Sequence, residues 1–269
     1  MENAGLDESE RATVEWIAQR RIARRSVADL PVALKPQTED AGYRAQAAVL
    51  ERLSAHGFGA RVGWKVGFTT PQMRAHLGVD VPLGGAMLAG GRVEPGATIR
   101  HADYCRIGIE CEIAMMLGAS LGGPGRTVEP AEAAAAVASI HPAIELVDDR
   151  YAGEYRAFGV PAMLADNIFH AGFAIGAAVD GWRAIDLAAV RGVTRANGIV
   201  RGEGRGADVQ GHPMASLAWL ANRLSALGHR IEAGDLVLTG SIPLPYWTNP
   251  GDAIEIEIEH VGAVALMLT

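Results

Sequence analysis

Ile107-Gly-Ile-Glu110-Cys-Glu112-Ile-Ala-Met-Met-Leu117 is the stretch on which the fold turns. It is apolar enough to be core, yet it carries two carboxylates spaced by one residue. On a strand, alternate side chains share a face. Glu110 and Glu112 therefore point one way, and Ile109, Cys111 and Ile113 the other. Two acids side by side in a core strand repel each other and are costly to bury. A hard divalent cation removes both costs, and Glu oxygens are ligands that Mg²⁺ or Mn²⁺ prefers. An exposed strand face would carry the same pattern without any ion.

A second apolar run, His141-Pro-Ala-Ile-Glu145-Leu-Val-Asp148-Asp149, has an acid at its centre. Ile144, Leu146 and Val147 surround Glu145, so a solvated position is unnatural there. Three carboxylates with open positions for water or substrate suit a catalytically accessible octahedral ion. Asp148 and Asp149 are not needed for it and suit the cap of a following loop. The strand Ala253-Ile-Glu255-Ile-Glu257-Ile-Glu259 alternates just as regularly, but its polar face is uniformly acidic and reads as solvated.

Outward from these runs the chain divides in two. Residues 10–56 read as helical, broken at Leu30-Pro31 and Lys35-Pro36, with Thr38-Glu39-Asp40 opening a helix that closes near Gly57. From Arg61 on, short Val-, Ile- and Phe-rich runs are punctuated by glycine and read as strands. Helices are expected only over Glu129–Ser139 and His212–Leu227, the latter closed by Gly228. The expectation is an α+β fold: a helical N-terminal lobe over residues 1–60 on a mixed β-barrel or roll core over residues 61–269.

Gly63-Trp-Lys65-Val-Gly67 places a lysine mid-strand between apolar neighbours. Lysine occurs only at Lys35 and Lys65, every other basic residue being arginine. A retained lysine can mark a site that needs a titratable amine, either as acid or base or as the partner of a substrate carboxylate. Its ammonium could equally reach the surface along its own stem. The Gly202-Glu-Gly-Arg-Gly206 run lacks the strand and helix setting of a phosphate loop and reads as a hairpin turn.

The bulk numbers narrow the classes. The 269 residues are 49 % hydrophobic, enough to fill a sizeable core, and the net charge of -7 offers no basic field for nucleic acid. The acidic start MENAGLDESERATVEWIAQ does not read as a signal peptide, no run approaches a membrane span, and Cys105 and Cys111 suit reduced thiols. A cytoplasmic protein binding neither membrane nor nucleic acid is expected.

Taken in order, Tyr43-x-x-Gln46, Gly63-Trp-Lys-Val-Gly-Phe-Thr69, Leu77-Gly-Val-Asp80-x-Pro82, Glu110-x-Glu112-Ile-Ala and Pro142-Ala-Ile-Glu145 form a pattern. It continues through Ala165-Asp166-Asn167, Asn197-Gly198, Gly211-His-Pro-Met-Ala-Ser-Leu-Ala-Trp-Leu-Ala221, Leu238-Thr-Gly-Ser241 and Pro250-Gly-Asp252. This order resembles the fumarylacetoacetate hydrolase superfamily, and within it the 2-keto-4-pentenoate hydratase and 4-oxalocrotonate decarboxylase branch. The resemblance implies a mixed β-barrel or roll, Mg²⁺ or Mn²⁺ on Glu110, Glu112 and Glu145, Lys65 and Asp80 as catalytic residues, and Ser241 lining the substrate pocket. It implies a small anionic 2-keto acid or 2-hydroxydienoic acid as substrate, in aromatic-compound catabolism. It also implies a homo-oligomer, with a complex to a sister pathway enzyme as a further prospect.

Where that branch commonly reads Asp-Asn-Ala-Ser-Ser-Gly, this chain has Asp166-Asn-Ile-Phe-His-Ala171. Phe169 and His170 are thus expected beside the substrate and point to a differently shaped tail. Alternatives to a hydratase are a decarboxylase, an acylpyruvate C–C hydrolase with His101 as its only candidate histidine, and a catalytically silent partner subunit. Three core carboxylates and Lys65 speak against the last, since a scaffold has no need of them.

Overall fold

A computed structural model describes residues 6–269, the side chain of His76 apart. The strands are β1 (Arg61–Gly67), β2 (Leu83–Leu88), β3 (Thr98–Ile99), β4 (Ile107–Leu117), β5 (Val137–Asp148) and β6 (His170–Ile175). They continue with β7 (Arg191–Ala196), β8 (Ile199–Arg205), β9 (Leu236–Ser241), β10 (Tyr246–Trp247), β11 (Ala253–Ile258) and β12 (Gly262–Leu268). The α-helices are α1 (Glu8–Ile22), α2 (Glu39–Leu53), α3 (Pro71–Leu77), α4 (Pro130–Ala136), α5 (Tyr155–Phe158), α6 (Val160–Ala165) and α7 (Pro213–Ala226).

The architecture is mixed α and β. A seven-stranded sheet runs β2-β1-β9-β4-β5-β6, with β10 pairing β4, and a five-stranded sheet runs β3-β12-β11-β7-β8. The strict alternation of β4 decides how they pack. Ile107, Ile109, Cys111, Ile113 and Met115 are fully buried and join Ile254, Ile256, Ile258, Val264 and Leu266 of the smaller sheet in one core. The opposite face of β4 carries Glu110, Glu112 and Ala114 toward the concave side of the larger sheet, which curls as a half-barrel.

Thr38 caps α2 as expected, its Oγ1 accepting from the Ala41 N–H. Tyr43 and Gln46 of α2 staple that helix to the sheet: the Tyr43 hydroxyl accepts from the Gly84 N–H, and Gln46 Nε2 donates to the Gly84 and Leu164 carbonyls. Glu255 and Glu257 are exposed on β11 and pair with Arg195, as the solvated reading required. Asp149 caps the loop after β5 by accepting from the Tyr151 and Gly153 N–H groups, and both cysteines are free thiols.

Two expectations fail locally. The alanine-rich helix stops at Ala136, because Val137 to Ser139 are taken up as the start of β5 opposite the end of β4. Pairing along a twelve-residue strand outweighs a weak local preference. The glycines at 202 and 204 are not a turn but lie inside β8, where a Cβ on Gly204 would meet the Ile242 carbonyl oxygen at 2.6 Å. The hairpin turns at Asn197-Gly198, both left-handed.

Gly63 is required by the parallel pairing of β1 with β9, since a Cβ there would sit 1.9 Å from the Leu236 carbonyl oxygen. Gly63→Ala should therefore destabilise the fold by about 1–3 kcal/mol, the usual cost of overpacking. Denaturant unfolding checks this, and a cost near zero would show that the two strands can part there.

Candidate active site

The antiparallel register of β4 and β5 sets Glu110 directly opposite Glu145, and Glu112 opposite Ala143. One oxygen from each of Glu110, Glu112 and Glu145 lies within 4.8 Å of the other two. Glu112 and Glu145 are fully buried. Glu110 is half-buried and lines a pocket of about 430 Å³.

Two neighbours compensate Glu145. Lys65, only 2 % exposed, holds its Nζ 3.5 Å from Glu145 Oε1 and donates to the Ile168 carbonyl at 2.6 Å. His170 Nδ1–H donates to the same Glu145 oxygen at 2.9 Å. Burial holds the His170 imidazole below its ordinary pKa despite that carboxylate, so the ring is uncharged near neutrality. Glu112 Oε2 accepts from the Gly240 N–H at 2.7 Å. Only glycine serves there: its φ is +113°, and a Cβ would collide with Thr69 at 2.4 Å.

The electrostatics divide the acids. Burial, then the charge of Glu145, pushes the Glu110 carboxyl up to about 8. Burial, then Glu145 and Glu110, pushes Glu112 well above the carboxylate range. Burial acts on Glu145 in the same sense, but Lys65 and His170 outweigh it and hold Glu145 below its ordinary value. Glu112 Oε1 and Glu145 Oε2 are buried with no hydrogen-bond partner. Orphaned carboxylate oxygens converging from adjacent strands fit a hard divalent cation.

The turn before β6 presents the Ile168 carbonyl to Lys65. Asn167, Ile168 and Phe169 all have positive φ, at 63°, 50° and 61°. Such a run is strained for residues that are not glycine and persists only when its surroundings hold it. Asn167 bonds both the N–H and the carbonyl of Ala86, at 2.9 and 2.8 Å. From outside, Arg21 of α1 donates to the Asp166 and His170 carbonyls at 2.9 and 3.1 Å. Arg150 Nε and the Tyr151 hydroxyl close on Asp166 Oδ2 at 2.9 and 2.8 Å.

The pocket brings together Lys65, Glu110, Phe169 and Ser241. Ser241 donates to the Pro243 carbonyl at 2.7 Å. Phe169 packs edge-on against Tyr151 and Tyr155, with centroids 4.7 and 5.6 Å apart, and faces the pocket with Phe68 and Trp247. Three candidates lie elsewhere. His170 is buried against Glu145 and does not line the pocket. Asp80 is exposed in the bend between α3 and β2, outside the pocket wall. His101 turns its Nε2 toward the Thr248 carbonyl, 3.3 Å away. Sequence reading missed Arg106 and Trp247, although Arg106 has the same strand parity as Glu110.

The curled sheet with carboxylates inside it belongs to a known class. The fumarylacetoacetate (FAA) hydrolase C-terminal family matches residues 88–268, and the chain belongs to that family. Among curated relatives, a 4-oxalocrotonate decarboxylase of Pseudomonas putida is 33 % identical over 204 residues, 76 % of each chain. A 2-keto-4-pentenoate hydratase of Burkholderia vietnamiensis is 34 % identical over 209 residues, 77 % of this chain and 78 % of that one. The solved 4-oxalocrotonate decarboxylase from Pseudomonas putida G7, complexed with magnesium and adipate, superposes with a TM-score of 0.89 at 29 % identity. It covers 97 % of this chain and 98 % of its own.

The raised carboxyls set a pH dependence. Between the ordinary value of 4.5 and about 8, the unfolded chain gives up a proton that folded, metal-free Glu110 keeps. The metal-free protein should therefore lose stability as pH rises through that window. A cation displaces the retained protons, so Mg²⁺ affinity should rise from about pH 6 to about pH 8. Calorimetric titration measures it; a flat or falling affinity would refute the carboxylate assignment. Glu112→Gln should stabilise the metal-free protein while weakening Mg²⁺ binding at least about tenfold.

Proposed function

We propose that the protein is a divalent-metal-dependent lyase of a small 2-keto or 2-hydroxydienoic acid. Hydration like that of a 2-keto-4-pentenoate hydratase is its main reading, and decarboxylation like that of 4-oxalocrotonate the alternative. The reading is carried by one observation: three glutamate oxygens within 4.8 Å of one another, beside buried Lys65, at a pocket that Glu110 lines. It is supported by relatives named for both reactions.

Glu110, Glu112 and Glu145 would hold Mg²⁺ or Mn²⁺, which supplies a Lewis acid for the carboxylate and adjacent oxygen of a 2-keto acid. Lys65 handles the proton. Two of its three N–H groups face the Ile168 carbonyl and Glu145, which leaves one for a substrate oxygen or carbon. Asp80 is exposed and does not line the pocket, so this reading gives proton transfer to Lys65. His170 acts through Glu145, whose carboxylate it orients, rather than on the substrate. Phe68, Phe169 and Trp247 form apolar walls that suit a flat conjugated chain and keep bulk water from it. No pocket-lining histidine is present among the described residues, which disfavours the acylpyruvate hydrolase.

In the same reading the N-terminal helical lobe, among its described residues, gives the pocket no side chain and works through Arg21. The protein assembles as a cytoplasmic homo-oligomer, a point light scattering addresses.

An ultraviolet assay with 2-hydroxypenta-2,4-dienoate, 4-oxalocrotonate and an acylpyruvate, with Mg²⁺ or with chelator, tests the proposal. One of the first two should turn over with Mg²⁺ only, and CO2 release separates the two reactions. Turnover that survives the chelator, or of the acylpyruvate alone, would overturn it. Lys65→Arg should cost on the order of 10²-fold in kcat, the scale of a lost general acid or base. Near-normal turnover would remove Lys65 from the chemistry.

A further inference from the structure

The pocket has a second cation, and the reading above leaves it idle. Among the described residues lining it, Lys65 and Arg106 alone carry positive charge. Lys65 is engaged at the floor by Glu145 and the Ile168 carbonyl. Arg106 precedes β4 by one residue and shares parity with Gly108, Glu110 and Glu112. At about 3.3 Å per residue, its Cα lies about 13 Å from that of Glu110 along the same strand face. An arginine side chain and a substrate of several carbons together bridge that gap.

Arg106 and Glu110 line the same pocket. Gly108 has no side chain, and the Trp247 ring of β10 occupies the space, with ring carbons 2.9 Å from where a Cβ would stand. The Arg106 guanidinium lies on that ring, 4.5 Å from its centroid. Asp149 holds one edge loosely at 3.4 Å, while its carboxylate is already taken up by the Tyr151 and Gly153 N–H groups. Among the described residues Asp149 is the one side-chain acceptor of the Arg106 guanidinium, while Asp148 Oδ1 accepts from the Arg106 backbone N–H at 2.8 Å. The guanidinium therefore rests over the Trp247 ring, is steadied by one acid, and has most of its five donors unspent. It is 53 % exposed and so lies at the mouth.

We propose that Arg106 is a specificity-determining residue that captures a second carboxylate, at the end of the substrate remote from the glutamates. The preferred substrate is then a conjugated keto diacid of about six carbons rather than a five-carbon monoacid. A planar guanidinium pairs a carboxylate through two parallel N–H bonds, which a mobile ammonium does not do. The geometry also gives the aromatic walls a purpose, since they hold an apolar chain whose two ends are charged. This inference rests on the proposed substrate class, but its binding test does not.

The test compares adipate with hexanoate, six-carbon acids that differ only in the second carboxylate. Binding to the Mg²⁺-loaded protein is measured by calorimetry and by thermal shift, for wild type, Arg106→Met and Arg106→Lys. Wild type should bind adipate about tenfold more tightly than hexanoate, the scale of one charge-assisted pair in a partly exposed site. Arg106→Met should erase the difference by weakening adipate alone, and Arg106→Lys should restore part of it. Equal binding of the two acids by wild type, or a preference that survives Arg106→Met, would overturn the proposal. A kinetic arm uses 4-oxalocrotonate against 2-hydroxypenta-2,4-dienoate. There Arg106→Met should raise KM for the diacid and leave kcat little changed. If neither compound turns over, the proposed reaction fails, while the adipate and hexanoate comparison still decides the role of Arg106.

Discussion

Three carboxylates on neighbouring positions of a buried sheet repel one another, and the rest of the site is arranged around that repulsion. The register of β4 against β5 makes the encounter of Glu110 with Glu145 unavoidable. The fold answers with unequal compensation. Glu145 receives both Lys65 and His170, Glu112 receives a single backbone N–H, and Glu110 is left facing the pocket. One acid is kept charged by its neighbours while the other two are driven toward the neutral form. Such an arrangement is unstable in charge but ready for a cation, because little must move when one binds.

Maintaining that readiness costs backbone strain elsewhere. Three consecutive left-handed residues, none of them glycine, are held so that the Ile168 carbonyl meets Lys65 and the His170 ring meets Glu145. Each such residue is worth on the order of 1–3 kcal/mol of strain. The restraint comes from two directions: Asn167 is clamped to β2, and Arg21 and Arg150 grip the carbonyls and carboxylate of Asp166 and His170. That cluster lies off the pocket, yet it positions both groups that compensate Glu145. The N-terminal helix is thereby coupled to the site through a single arginine.

Much of this was legible in the chain. Period-two alternation placed Glu110 and Glu112 on one face of β4, and the solvated face of β11 followed from the same rule. Lys65 was singled out by its apolar neighbours and flanking glycines. What escaped depends on contacts between segments far apart in sequence. His170 is expected beside the substrate because, with Phe169, it stands where the resembled branch carries Ser-Ser, but the left-handed turn sets its ring against Glu145. Asp80 was placed in the site by likeness alone, and nothing local to it reports which way its loop folds. Val137 to Ser139 read as helix because composition is local, whereas their pairing partners lie on β4. Arg106 could have been found by extending the alternation of β4 backward past Gly108.

Hydration and decarboxylation place different demands on one floor. Both call for a held 2-keto acid and a proton donor, and in the proposed function these roles fall to Glu110, Glu112, Glu145 and Lys65 on β1, β4 and β5. Hydration further requires a water positioned at the conjugated carbon, whereas loss of CO2 is eased when the departing carboxylate sits among apolar groups that solvate it poorly. Those demands fall on the walls, and the walls come mostly from loops and short elements outside the long strands, among them Phe68, Met73, Tyr155, Phe169, Leu244 and Trp247. Loops vary where strands cannot, because a changed loop leaves the sheet register intact. A change such as Phe169 can therefore redirect the chemistry of the pocket without disturbing Glu110, Glu112, Glu145 or Lys65. Relatives about one-third identical to this chain carry the names of both reactions.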